Sequence, residues 1–279
     1  MEKARRGLLI YFAVLIPVSG VIETTVLRLG GNIGRYSWLI FLLMWTPAIA
    51  SFVARAVLKE GIRDVSFRLS SNALWTLVAA VVFPLVVGSI AYGAGWATGL
   101  VGYQTPSHGF LLNLARATAL GCTIGVVSGA GEEIGWRGYM LTRLVDAGVP
   151  QPLLASGIIW ALWHFPLILS GQYASGPHPG ISAGIFLVDV IGIAYMIGAL
   201  RLRSGSVWPA ALLHGAWNGI IQVGFDPAST GPGATTWVGE SGIFVAAVSL
   251  VIGVVAARVL WPSDSRSGTT SAGTLKPAA

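Results

Sequence analysis

A chain of 279 residues that is 54% hydrophobic and only 10% charged does not fit a soluble globular domain, where about a quarter of residues carry charge. The mean hydropathy of +0.73 and repeated apolar runs instead predict an all-α, polytopic membrane protein. The net charge of +6 is spread as short flanks of apolar runs rather than gathered into a patch, which excludes a nucleic-acid partner. The single Cys122 excludes an intrachain disulfide, and no paired Cys/His spacing exists for a structural zinc site.

In chain order, Lys3-Ala4-Arg5-Arg6 opens an apolar run that resembles a signal peptide. It continues past Val21 to about the 20 residues that span a bilayer, so an uncleaved first helix is expected. Eight spans follow from the apolar runs and their Gly, Pro and charged punctuation: 7–28, 37–57, 73–97, 115–145, 151–170, 181–200, 206–224 and 239–261. The fourth is too long for a simple crossing, with Arg116 and Arg143 placed to mark its two interfaces. Residues 1–262 thus form one helical bundle, and 263–279, small and polar without periodicity, read as a disordered cytoplasmic tail.

Of the seventeen Lys and Arg, all but Arg28, Arg35 and Arg116 fall on one side of this topology. The positive-inside rule then puts both termini in the cytoplasm of a multi-pass protein, with the cell membrane as the expected location.

Within the fourth span, Glu132-Glu133 stand in a segment that has almost no other charge. An ionisable residue at membrane depth is costly and marks a functional site by default. Gly121, Gly125 and Gly129 recur at four-residue spacing, and Glu133 and Arg137 continue the row, so one helix face carries them all. The small residues let a neighbouring helix approach closely, and Glu133 and Arg137, at i and i+4, can neutralise each other. Glu132 lies about 100° around the helix and is left as the free carboxylate, the better group for moving a proton.

Later spans supply partners. Trp160 and His164 are four residues apart in the fifth span, and His214 and Asn218 in the seventh, so each pair shares a face. At about 1.5 Å of rise per residue, Glu132 and His164 lie roughly 20 Å and His214 roughly 12 Å from the expected cytoplasmic helix ends. They can therefore meet in the cytoplasmic half to middle of the bilayer, given a water-filled cavity. Other chemistries lack their groups: no Gly-x-Ser-x-Gly, no His-Glu-x-x-His, and in Asp189 only one deep aspartate, read as a buried hydrogen-bonding residue. Cys122 reads as packing, and His108 and His178, in external loops, are assigned no role.

Glu-Glu-x-x-x-Arg, aromatic-x-x-x-His and His-x-x-x-Asn, in this order on successive helices, resemble the motifs of the CPBP intramembrane metalloproteases. That family includes CAAX prenyl endopeptidases of the Ras-converting type and the Abi proteins of bacteriocin processing and immunity. The matching core runs from about Thr118 to Gln222, with Trp160 where the family usually has Phe. The resemblance implies an intramembrane endopeptidase acting near the cytoplasmic leaflet on a peptide or protein substrate, lipidated or not, in contact with membrane lipid. It implies that Glu132 and His164 activate water, that His214 and Asn218 stabilise the oxyanion, and that Glu133, Arg137 and Trp160 support the site.

Two points stay open at this level. Glu132, His164 and His214 supply enough ligands for a Zn²⁺ ion with a bound water, while the same residues suit a metal-free mechanism. A non-enzymatic immunity or scaffold protein keeping the fold is the competing reading, and a proton-coupled transporter is a third.

Overall fold

The computed structural model describes residues 1–31, 33–69 and 73–261; the expected tail at 263–279 lies outside them. Among the described residues, eight long helical elements make the bundle: α1 (Glu2–Leu29), α2 (Ser37–Leu58), α3 (Ala73–Thr98), α4 (Phe110–Asp146), α5 (Pro152–Leu169), α6 (Pro179–Ser204), α7 (208–225) and α8 (Ile243–Leu260). Helices are the only open-ended elements that satisfy their backbone internally in lipid. The one sheet among the described residues is a two-residue antiparallel pair between loops, Gly102 and Tyr103 against Thr230 and Ser229.

Seven of these elements are long and apolar enough to cross a membrane. The eighth expected span, 206–224, is a helix of a different kind: ten α-helical residues, Trp208–Trp217, run into a π-helical stretch, Asn218–Phe225. The wide turn starts at Asn218 and interrupts the regular segment. The long fourth span is one helix of 37 residues, about 55 Å at 1.5 Å per residue. Since a bilayer core is about 30 Å thick, α4 must tilt or project. Two π-helical turns, Gly121–Gly125 and Trp136–Met140, interrupt it.

The glycine row works as its spacing predicts. A Cβ on Gly121 would lie 2.5 Å from the Gly215 carbonyl oxygen, and one on Gly125 3.0 Å from it. Gly215 and Gly219 of α7 reciprocate against the α4 backbone. Helices α4 and α7 thus touch backbone to backbone, the geometry that small residues permit in membranes.

The two ends of the bundle differ. At the end where α1 begins and α8 finishes, Arg143 donates to Glu60 and Asp64 at 2.8 Å each, Arg55 pairs with Asp64, and Arg201 donates to the Asp64 carbonyl. Arg55 also donates to the Gly138 carbonyl at 2.9 Å, tying the 59–69 connection to α4. At the opposite end the 226–242 connection is held by Tyr92, which donates to Asp226, and by Trp96, which donates to Ser229 at 3.1 Å.

Candidate active site

Helix α4 carries the two glutamates where it packs against α2, α5 and α7. Glu133 and Arg137 form the i, i+4 pair at 2.8 Å, both fully buried. A buried pair of this kind gains from each further polar contact, although Glu133 Oε2 and Arg137 Nε and Nη2 have no hydrogen-bond partner among the described residues. Here the second contact of Glu133 Oε1 is His214 Nδ1 at 2.8 Å, and the Arg137 guanidinium lies 4.1 Å over the ring of Trp160. Glu133 therefore also orients His214, which the linear spacing alone does not reveal.

Glu132 is not the free carboxylate that its helical phase suggests. Its Oε2 accepts two indole N–H groups, from Trp136 at 3.1 Å on the same helix and from Trp160 at 2.7 Å on α5. Its Oε1 lies 3.8 Å from His214 Nε2, too far for a direct hydrogen bond and wide enough for a bridging water. Trp160, expected only to pack beside the histidine, is a donor that a phenylalanine cannot replace.

His164 Nδ1 lies 2.9 Å from the Trp160 carbonyl oxygen. Because a carbonyl only accepts, Nδ1 carries the hydrogen and Nε2 of the neutral ring is left as an acceptor. The imidazole is caged by Trp163, Phe186 and the stacked ring of Tyr173. Asn218 begins the π-helical stretch of α7, with its amide oxygen 3.5 Å from Gln222 Nε2.

Glu132, His164, His214 and Asn218 line one cavity of about 200 Å³ between α2, α4, α5, α6 and α7. Ile40, Leu43 and Met44 of α2 and Leu167 of α5 form an apolar wall, and Tyr173, Gln222 and Glu240 lie towards the 226–242 end. No direct hydrogen bond joins His164 to Glu132 among the described contacts; they share the cavity rather than a contact.

Sequence reasoning missed Glu240. Its carboxylate accepts from Tyr173 at 2.6 Å and from Trp217 at 3.0 Å, so it links the α5–α6 connection to α7 beside His164. Burial first, and the Glu240 charge second, hold the Tyr173 hydroxyl well above its usual pKa, keeping it a donor. The only linear signal was a lone acid in Gly239-Glu240-Ser241-Gly242, in a loop whose position is set by tertiary packing.

Asp189 matches its bland reading, fully buried and accepting from Ser249 at 2.5 Å. The metal alternative can be put to the geometry. Among the described residues, no three His, Cys, Asp or Glu side chains are grouped so as to hold an ion. Glu132 Oε2 is taken by two indoles, and His214 Nδ1 by Glu133. The atoms left facing the cavity are Glu132 Oε1 and His214 Nε2, 3.8 Å apart, and Nε2 of His164.

Residues 114–220 match the family model described as type II CAAX prenyl endopeptidase Rce1-like, over almost the stretch that carries the three motifs. No curated protein matches the chain.

Proposed function

We propose that this chain, a member of the CAAX-protease family through residues 114–220, is an intramembrane endopeptidase that hydrolyses a peptide bond with water as nucleophile. The observation that carries the reading is the convergence of Glu132, His164, His214 and Asn218 on one cavity. A polar network kept only for packing does not need to leave its acceptors facing open space.

In this scheme Glu132 is the general base. Two indole donors fix Oε2, so Oε1 is the oxygen directed at water. His164 Nε2 accepts the second hydrogen of that water and orients it. As the O–H bond breaks, the proton passes to Glu132 and the hydroxide attacks the scissile carbonyl carbon. His214, held through Nδ1 by Glu133, donates from Nε2 in its doubly protonated form to the developing oxyanion, and the Asn218 amide donates beside it. Protonated Glu132 then returns its proton to the leaving nitrogen. Every step uses side chains of this protein, and none is routed through a metal. The substrate is a peptide or protein segment, and a lipidated C-terminus is one member of the class the cavity's apolar wall accommodates.

The test is cleavage by the purified, reconstituted protein of a peptide library, with products mapped by mass spectrometry. Wild type cleaves, and a folded Glu132→Ala protein does not. Equal cleavage by both assigns the network to stability alone and favours the immunity or scaffold reading.

A further inference from the structure

We infer that the catalytic cavity takes its substrate from the end of the bundle opposite both the start of α1 and the finish of α8, which the charge distribution makes the non-cytoplasmic face. This deepens the endopeptidase reading and rests on it for the chemistry, but the direction of access stands on separate observations.

The bundle is layered along its axis. At one end lies the network of Arg55, Glu60, Asp64, Arg143 and Arg201. The next layer is a plug: Tyr11 of α1 and Trp136, Arg137, Tyr139 and Met140 of α4 are each 0% exposed. Tyr139 is sandwiched, with Arg55 and Arg143 at 4.8 and 4.7 Å from its ring centre. Glu132 and His214 sit directly above this plug of buried side chains.

The opposite direction is open. The catalytic cavity shares Tyr173, Gln222 and Glu240 with a second chamber of about 410 Å³, which is otherwise lined by connection residues such as Ser175, Asp226, Ser229 and Thr235. Thr235 is exposed at its edge. The two chambers adjoin at Tyr173, Gln222 and Glu240, and the Tyr173 to Glu240 hydrogen bond stands between Glu132 and the 170–178 and 226–242 connections.

The sidedness follows from charge. The plugged end carries Lys3, Arg5, Arg6, Lys59, Arg63, Arg68, Arg203 and Arg258 besides the network arginines, whereas the open end has Arg28, Arg35 and Arg116. Basic residues of that asymmetry are retained in the cytoplasm. The scissile bond would then belong to a polypeptide segment on the non-cytoplasmic side of the membrane.

The experiment uses the full chain with Cys122→Ser as background, carrying single cysteines at Gln222 in the path, Thr235 at its mouth or Arg63 at the plugged end. Sealed right-side-out and inverted vesicles are treated with a membrane-impermeant maleimide. Gln222→Cys and Thr235→Cys should label at least tenfold faster in right-side-out vesicles, and Arg63→Cys in inverted ones. Faster labelling of Gln222→Cys from the inverted side overturns the inference, whatever the enzyme activity. In the second arm, a peptide cut in detergent should be cut by intact right-side-out vesicles only. Cleavage confined to inverted vesicles sinks the access claim, while absence of cleavage even in detergent sinks the endopeptidase reading and leaves the labelling result to decide access.

Discussion

Trp160 of α5 donates its indole N–H to Glu132 of α4 across 2.7 Å, and the face of the same ring carries the Arg137 guanidinium. One side chain thus spaces the two carboxylate environments, fixing an oxygen of Glu132 while covering the cation that neutralises Glu133. Trp160→Phe keeps the ring and removes the donor. A hydrogen bond to a charged group contributes about 1.5–3 kcal/mol to stability, so the melting temperature should fall, and kcat should fall roughly 10-fold with KM little changed as Glu132 loses the donor that orients it. Steady-state kinetics on both proteins check this, and an unaltered kcat would show that the indole only packs.

The close α4 to α7 approach gives a stability prediction. Gly121→Ala puts a Cβ 2.5 Å from the Gly215 carbonyl oxygen, backbone that cannot rotate aside. Overpacking of this kind costs about 1–3 kcal/mol, and thermal unfolding in detergent should report a clearly lower midpoint. Gly20→Ala, with open space around its Cβ, is the control and should leave the midpoint unchanged.

The two ends of the bundle should respond to pH with opposite sign. Burial alone would raise the Asp64 pKa, but Arg55 and Arg143 bond to the carboxylate and hold it below the usual value. Its contribution is present above the unfolded pKa and is lost as pH falls through the folded one. Asp226 is pushed up to about 6 by burial, against the hydrogen bond from Tyr92. Its contribution is complete below the unfolded value and is lost as pH rises through about 6. Asp64→Asn should therefore lower stability at neutral pH and flatten the acid limb, while Asp226→Asn should raise stability at neutral pH. Unfolding midpoints from pH 4 to 8 decide both.

Metal removal is the fourth test. Because no three ligands are grouped among the described residues, activity should survive prolonged chelation. Elemental analysis of the active protein should find far less than one zinc per chain. Loss of activity on chelation and its return with zinc would require the site to rearrange around an ion.

Much of the site was legible in the chain because it is local. The Glu133 to Arg137 pair and the glycine row follow from four-residue spacing, which a helix enforces whatever surrounds it. The second hydrogen bond of Glu132 was not, since Trp160 lies 28 residues away on another helix. Nor were the π-helical turns at 121–125 and 136–140, or the approach of His214 from α7 to both glutamates. Glu240 and Tyr173 escaped for a third reason: loop residues acquire neighbours only through the packing of the helices they connect.

The most direct test of the central claim is kcat/KM for Glu132→Gln, which keeps the shape and an acceptor oxygen for the two indoles but cannot take a proton. A general base contributes about 10²–10⁴-fold, so cleavage should fall by at least about 100-fold with the unfolding midpoint unchanged. A folded Glu132→Gln protein that cleaves as fast as wild type would contradict the assignment of this glutamate as the base.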